Sequence, residues 1–178
     1  CDWSSDVCSS DLIAVMPKNM SQERKMMIKS FGGEILEVGN NDFEGAVEYR
    51  DKLVQKLGAF CPNQFENIDN IDCHYSTTGQ EIIRQIANLN LNQKISAFVA
   101  GTGSGGTLMG VREALVEVYP DVDIVAVEPS ESAVMSGKEP GEHNIQGIGD
   151  GFIPPIVDMK LVDKIETVSA EESIARMK

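Results

Sequence analysis

The sequence is poor in positive charge, in aromatic residues and in long apolar runs, and each shortage excludes a class of function. Its 178 residues hold 15 Lys and Arg against 28 Asp and Glu, a formal net charge of −13. A phosphate backbone demands a basic face, so this balance argues against a nucleic-acid binder. Aromatic side chains make up only 6% of residues, which leaves few platforms on which bases could stack. The apolar run at 12–16 is far too short to cross a bilayer, and no basic stretch precedes it. Neither a membrane span nor a secretory signal is therefore expected. Cysteine is also scarce. Two of the four lie in the first twelve residues, and the others, Cys61 and Cys73, match neither a CxxC redox pair nor a zinc knuckle. A reducing, cytoplasmic setting is the expectation. His74 and His143 have no Cys or His at ligand spacing, so they read as loop or capping histidines and no metal site is expected.

What is present is a globular composition, 42% hydrophobic and 24% charged, long enough for one domain or two small ones. The first twelve residues stand apart: they hold the only Trp, two Cys and three acids, with no base and no periodicity. Residues 2–12 are compatible, codon by codon, with a widely used sequencing-adapter oligonucleotide, so segment 1–12 reads as adapter-derived and non-native. Without it the net charge becomes −10.

From residue 13 onward, short apolar runs alternate with helical patterns. Strands are expected at 13–16, 34–38, 59–61, 95–100 and 123–127. Helices are expected after Ser21, with Met27, Ile28 and Phe31 as the apolar stripe and Met26-Met27 packing inward, and at 43–57 up to Gly58. Thr78 and Glu81 form a capping-box pattern before Ile82 and Ile86, and Ser169 with Glu172 repeats it for a last helix. Leu108, Val111, Leu115 and Val118 line one side of another helix. Alternation of this kind predicts an α/β fold with parallel sheets and flanking helices. The polar stretch 64–76 reads as a crossing between two lobes. Residues 137–151, rich in glycine, form a long loop of the sort that is functional or disordered.

The most informative stretch is Gly101-Thr102-Gly103-Ser104-Gly105-Gly106-Thr107, between a strand and a helix. Glycine permits tight turns and close approach, and a helix N-terminus offers unpaired N–H groups, so this loop reads as a phosphate cradle with Ser104 and Thr107 as extra donors. Spacing alone leaves the ligand open. Gly101-x-Gly103-x-x-Gly106 fits a dinucleotide fingerprint, and Glu128, 22 residues past Gly106, stands where a ribose-binding acid would be. An NAD(P)-dependent oxidoreductase and a non-catalytic phosphate-binding module are both compatible with it. No Lys follows the last glycine, so it is not a Walker loop.

Further segments narrow the choice. Gly103-Ser104-Gly105-Gly106-Thr107 resembles the Gly-x-Gly-Gly-Thr loop of fold-type-II pyridoxal-phosphate enzymes. Met16-Pro17-x-x-Met20-Ser21-x-Glu23-Arg24, Asn63-Gln64-Phe65-x-Asn67 and His74-x-x-Thr77-Thr78-Gly79-x-Glu81-Ile82 are similar to segments of cysteine synthases, in the same order. So is Pro140-Gly141-x-His143-x-Ile145-Gln146-Gly147-Ile148-Gly149-x-Gly151-Phe152-Ile153-Pro154. The chain from 13 to 178 thus resembles the cysteine synthase (O-acetylserine sulfhydrylase) family, with cystathionine β-synthase as a close relative.

The resemblance implies pyridoxal 5′-phosphate as cofactor and β-replacement chemistry: loss of acetate from O-acetylserine, or a similar activated serine, followed by addition of sulfide to give L-cysteine. It implies that Gly103, Ser104, Gly105, Gly106 and Thr107 hold the cofactor phosphate, that Gln64 contacts the substrate carboxylate with Phe65 beside it, and that Gly147 and Ile148 line the pocket. It implies a homodimer whose partners are an amino acid and a sulfide donor. Residues 13–64 correspond to the rest of a smaller α/β lobe and 65–178 to part of a larger, cofactor-binding one. The family's Ser-x-Lys-Asp-Arg motif, which carries the Schiff-base Lys, and its Ser-Gly-Asn-Thr-Gly loop do not occur in this sequence. The chain as it stands is therefore expected to be an inactive central fragment with no catalytic residue of its own. Asp150 puts a charge where many relatives carry a small residue.

Overall fold

A computed structural model describes residues 12–40, 42–89 and 95–177. The adapter-like segment, Leu12 excepted, lies outside the described residues. The chain divides into two compact units, Cys1–Cys61 and Pro62–Lys178.

In the first unit, strand β1 (Ile13–Pro17) pairs in parallel with β2 (Glu34–Val38), from Ile13 opposite Glu34 to Pro17 opposite Val38. Helix α1 (Gln22–Ser30) connects them, and α2 (Phe43–Leu57) follows. Their ends are chemically marked. Ser21 accepts a hydrogen bond from the Arg24 amide and Asp42 from the Gly45 amide, and Gly58 closes α2 in the left-handed region at φ 62°. Of the expected apolar stripe on α1 only Ile28 is half-buried. Met26, Met27 and Phe31 are 61%, 62% and 74% exposed, whereas Lys25 is buried. Its Nζ donates to the Lys18 carbonyl at 2.5 Å and pairs with Glu37 Oε1 at 2.7 Å. An ammonium so partnered can lie under a helix, its methylenes serving as the packing surface. No strand forms at 59–61, because these residues have no ladder partner among the described residues.

The second unit holds a parallel sheet in the order β3 (Ala97–Gly101), β4 (Asp123–Pro129), β5 (Lys164–Val168). Ala97 lies opposite Asp123, and Val125 opposite Lys164. Strand β5 is not anticipated by the sequence reading. Its Lys-Ile-Glu-Thr-Val run has only two apolar residues, and its alignment is fixed partly by a side chain, Asp163 Oδ2 accepting from the Ile124 amide at 2.7 Å. Helix α5 (Gly106–Val118) buries Leu108, Val111 and Leu115 against Ile71, Val122 and Ile124, while Val118 is half exposed. Helix α6 (Ala170–Arg176) begins with the expected capping box: Ser169 Oγ accepts from the Glu172 amide, and the Glu172 carboxylate accepts from the Ser169 amide.

Two expectations are corrected between residues 64 and 88. The polar stretch is no crossing, because it carries helix α3 (Asp69–His74) inside the second unit. Nor does a capping box open the next helix. From α3 the chain runs through one π-helical turn (Tyr75–Gly79) directly into α4 (Gln80–Asn88), so there is no fresh N-terminus to cap. Thr78 turns its hydroxyl to His74 Nδ1 instead, at 2.9 Å. No described helix is long and apolar enough to cross a membrane.

Candidate functional site

In a parallel sheet, the loops at the C-terminal strand ends are where side chains and ligands can meet. Strand β3 delivers its chain there at Gly101, and the buried Thr102 is pinned to the neighbouring strand by its amide, which donates to the Val127 carbonyl at 2.9 Å. Gly105 then takes φ 90°, a left-handed conformation, and α5 starts at Gly106 with no side-chain cap. Among the described residues, the amides of Gly103, Ser104, Gly105, Gly106 and Thr107 have no acceptor. Five consecutive N–H groups at the positive end of a thirteen-residue helix are a candidate anion site.

Two of the glycines are dictated by neighbours. A Cβ on Gly103 would lie 2.4 Å from the Gly147 carbonyl oxygen, and one on Gly105 would lie 2.1 Å from Val157 Cγ2. The hydroxyls are oriented too. Ser104 Oγ accepts from Asn70 Nδ2 at 3.0 Å. Thr107 Oγ1 lies 3.1 Å from His74 Nε2, so His74 bridges the hydroxyls of Thr107 and Thr78. Its role is more specific than that of a plain loop histidine.

The second glycine loop lies directly on the first. Ile148 packs on Gly101, Gly147 (φ 89°) places its carbonyl over Gly103, and the Gly149 amide donates to the Thr102 carbonyl at 3.3 Å. His143 Nε2 is 2.8 Å from the Gly149 carbonyl. A carbonyl only accepts, so this ring nitrogen carries the hydrogen. Gln64 is exposed, and its carbonyl accepts from Asn70 Nδ2 at 2.9 Å. Phe65 meets Phe152 edge to face, with ring centroids 5.1 Å apart, and its carbonyl accepts from the Ile156 amide. The first loop, the second loop and the Gln64–Phe65 segment are thereby joined in one assembly.

Glu128 is 1% exposed, its carboxylate taken up by the chain that follows β4. Its Oε2 accepts from the Met135 amide at 2.8 Å, and its Oε1 from the Ser136 amide at 2.9 Å and the Ser136 hydroxyl at 2.6 Å. It anchors the loop after β4 and, buried as it is, offers no solvent-facing acceptor of the kind a ribose-binding acid needs, which weakens the dinucleotide reading. In the same loop, Glu131 is held below its ordinary pKa, first by the Ala170 amide that it accepts from at the start of α6. Sequence reasoning missed Asn70 entirely. It lies in the polar stretch 64–76, and a lone Asn in a polar run carries no signal of the two partners the fold brings to it. Among the described residues no cluster of His, Cys, Asp or Glu is arranged to hold a metal.

The sequence pattern of the pyridoxal-phosphate dependent enzymes matches residues 3–178. A cysteine synthase of Staphylococcus aureus is 41% identical over 163 residues, which is 91% of this chain and 51% of the relative. Among solved structures, a cysteine synthase of Entamoeba histolytica superposes with a TM-score of 0.78 at 38% identity, covering 89% of this chain and 46% of that one. A hydrogen sulfide-producing enzyme of Fusobacterium nucleatum gives 0.85 at 33% identity, covering 94% and 56%. The chain spans about half the length of the curated relatives it matches. With the anion cradle, the parallel sheet and a pattern match over nearly its whole length, the chain belongs to the pyridoxal-phosphate dependent enzyme family.

Proposed function

We propose that the whole protein is a cysteine synthase, forming L-cysteine from O-acetylserine, or a similarly activated serine, and sulfide with pyridoxal 5′-phosphate. The observation that carries this reading is the row of five acceptor-less amides from Gly103 to Thr107. The residues fit the cofactor's phosphate: a dianion supplies the acceptors these amides lack. When bound, the cofactor supplies the electron sink for elimination and replacement at the substrate's β-carbon.

This chain's own residues bind and orient. The Gly103–Thr107 amides and the hydroxyls of Ser104 and Thr107 hold the phosphate. The exposed Gln64 amide donates to the substrate carboxylate, and Phe65, braced by Phe152, forms the apolar wall beside it. Gly147 and Ile148 close the pocket from the second loop, with Gly147 free of a side chain where the substrate approaches. The active protein is read as a cytoplasmic homodimer acting on small molecules.

The test is titration of the full-length protein with pyridoxal 5′-phosphate, followed by assay of cysteine formation from O-acetylserine and sulfide. Saturable binding with visible absorbance, much weaker for pyridoxal without its phosphate, is expected. Failure to bind the cofactor would overturn the proposal. Light scattering of the same sample tests the dimer.

A further inference from the structure

We propose that Asn70 is a positioning residue for the cofactor phosphate, acting through Ser104, an inference that rests on the cradle reading given above. The argument is one of hydrogen-bond direction. Asn70 Nδ2 lies 2.9 Å from the Gln64 carbonyl and 3.0 Å from Ser104 Oγ. The Gln64 carbonyl can only accept, so the nitrogen of the Asn70 amide must face it. That nitrogen has two hydrogens, and the second points at Ser104 Oγ. Ser104 therefore accepts from Asn70, and its own hydroxyl hydrogen is left to donate elsewhere.

Among the described residues that hydrogen has no acceptor. Ser104 is the second of the five unpaired amides, so its hydroxyl can add one more donor to the same anion. Gly106 makes the arrangement possible, since a Cβ there would lie 2.0 Å from Asn70 Oδ1. The same side chain ties the proposed substrate segment, through Gln64, to the phosphate loop, through Ser104. Without Asn70 nothing among the described residues fixes the rotation of the serine hydroxyl. The number of donors aimed at the phosphate then falls by one.

The experiment compares pyridoxal 5′-phosphate with pyridoxal, which lacks the phosphate, as ligands of the full-length apoprotein. The variants are Asn70→Ala, Ser104→Ala and the double variant. Asn70→Ala is expected to lower the ratio of the two affinities about tenfold, the range of a hydrogen bond to a charged group. Pyridoxal affinity itself is expected to stay near wild type, which a general loosening of the fold would not allow. Ser104→Ala is expected to lower the ratio similarly, and the double variant no further, because both remove the same donor.

Asn70→Asp is the second probe, nearly isosteric but able only to accept. It is expected to capture the Ser104 hydrogen and to lower the ratio more than Asn70→Ala does, and it keeps the test open if the alanine variant does not fold. If Ser104→Ala lowers the ratio while Asn70→Ala and Asn70→Asp do not, or if the losses multiply in the double variant, the inference on Asn70 is wrong and the cradle stands. If Ser104→Ala leaves the ratio unchanged and the phosphate adds nothing to wild-type affinity, the cradle reading itself fails and the inference falls with it.

Discussion

Replacing Glu128 by Gln removes one oxygen from a carboxylate whose three partners are all donors. The Met135 amide, the Ser136 amide and the Ser136 hydroxyl lie at 2.8, 2.9 and 2.6 Å, and the side chain is 1% exposed. Either orientation of the new amide sets an NH2 group against a backbone N–H. At least one charge-assisted bond is lost, at about 1.5–3 kcal/mol, and the surviving bonds fall from ionic to neutral strength. Against this, a neutral side chain escapes the desolvation cost of a buried charge. The net expectation is destabilisation by about 2–3 kcal/mol. In urea that corresponds to a midpoint lowered by roughly 1 M, taking a slope of about 2–3 kcal/mol per molar. Amide exchange adds the local readout, with Met135 and Ser136 accelerating more than the amides of β4. A loss below about 0.5 kcal/mol with unchanged exchange at Met135 and Ser136 would show that the loop is held by something other than this carboxylate.

Gly105→Ala places a side chain both at φ 90° and against Val157. It is expected to cost more than about 1 kcal/mol and to weaken pyridoxal 5′-phosphate binding more than tenfold, measured by denaturation and by ligand titration. Lys25→Met removes the hydrogen bond that, first among its causes, lowers the Glu37 pKa. The Glu37 carboxyl is expected to return toward its ordinary value of 4.5, read by an NMR titration, and an unmoved pKa would refute the pairing. Glu172 is likewise held below 4.5, chiefly by the Ser169 amide and then by the Ser169 hydroxyl. Because its folded pKa is depressed, its contribution to α6 is complete above the ordinary carboxylate range and lost as pH falls through the lower folded value. Glu172→Gln is expected to flatten that pH dependence, which helical chemical shifts of α6 report.

What the sequence made legible is what local chemistry decides. Ser21, Gly58 and the Ser169–Glu172 pair mark helix ends through their own backbone contacts, and they are found where expected. The Gly103–Thr107 run announces a close approach because only glycine tolerates one. What stayed hidden depends on partners distant in the chain. Lys25 is buried because β2 brings Glu37 to it, and a periodicity rule that counts lysine as surface places Met27 and Phe31 inside instead. Strand β5 exists because β4 offers it an edge. Asn70 gains its meaning from Ser104, 34 positions away. The family resemblance singled out the candidate segments, and the fold shows the hydrogen bonds between them.

The π-helical turn at Tyr75–Gly79 also sets a phase. Ile71 and Ile82 are eleven positions apart, three turns of an uninterrupted α-helix at about 100° per residue, so Ile83 and Ile86 would swing well to one side of Ile71. Widening one turn rotates everything after it back by roughly a quarter of a revolution. Ile82, Ile83 and Ile86 are then centred on the direction of Ile71, and all three are half-buried while Arg84 and Gln85 are exposed. One continuous rod thus keeps its isoleucine stripe in line while presenting His74 at the start of α5. Deleting a single residue from this turn would shift the stripe by about 100° and set the packing of α4 against the placement of His74.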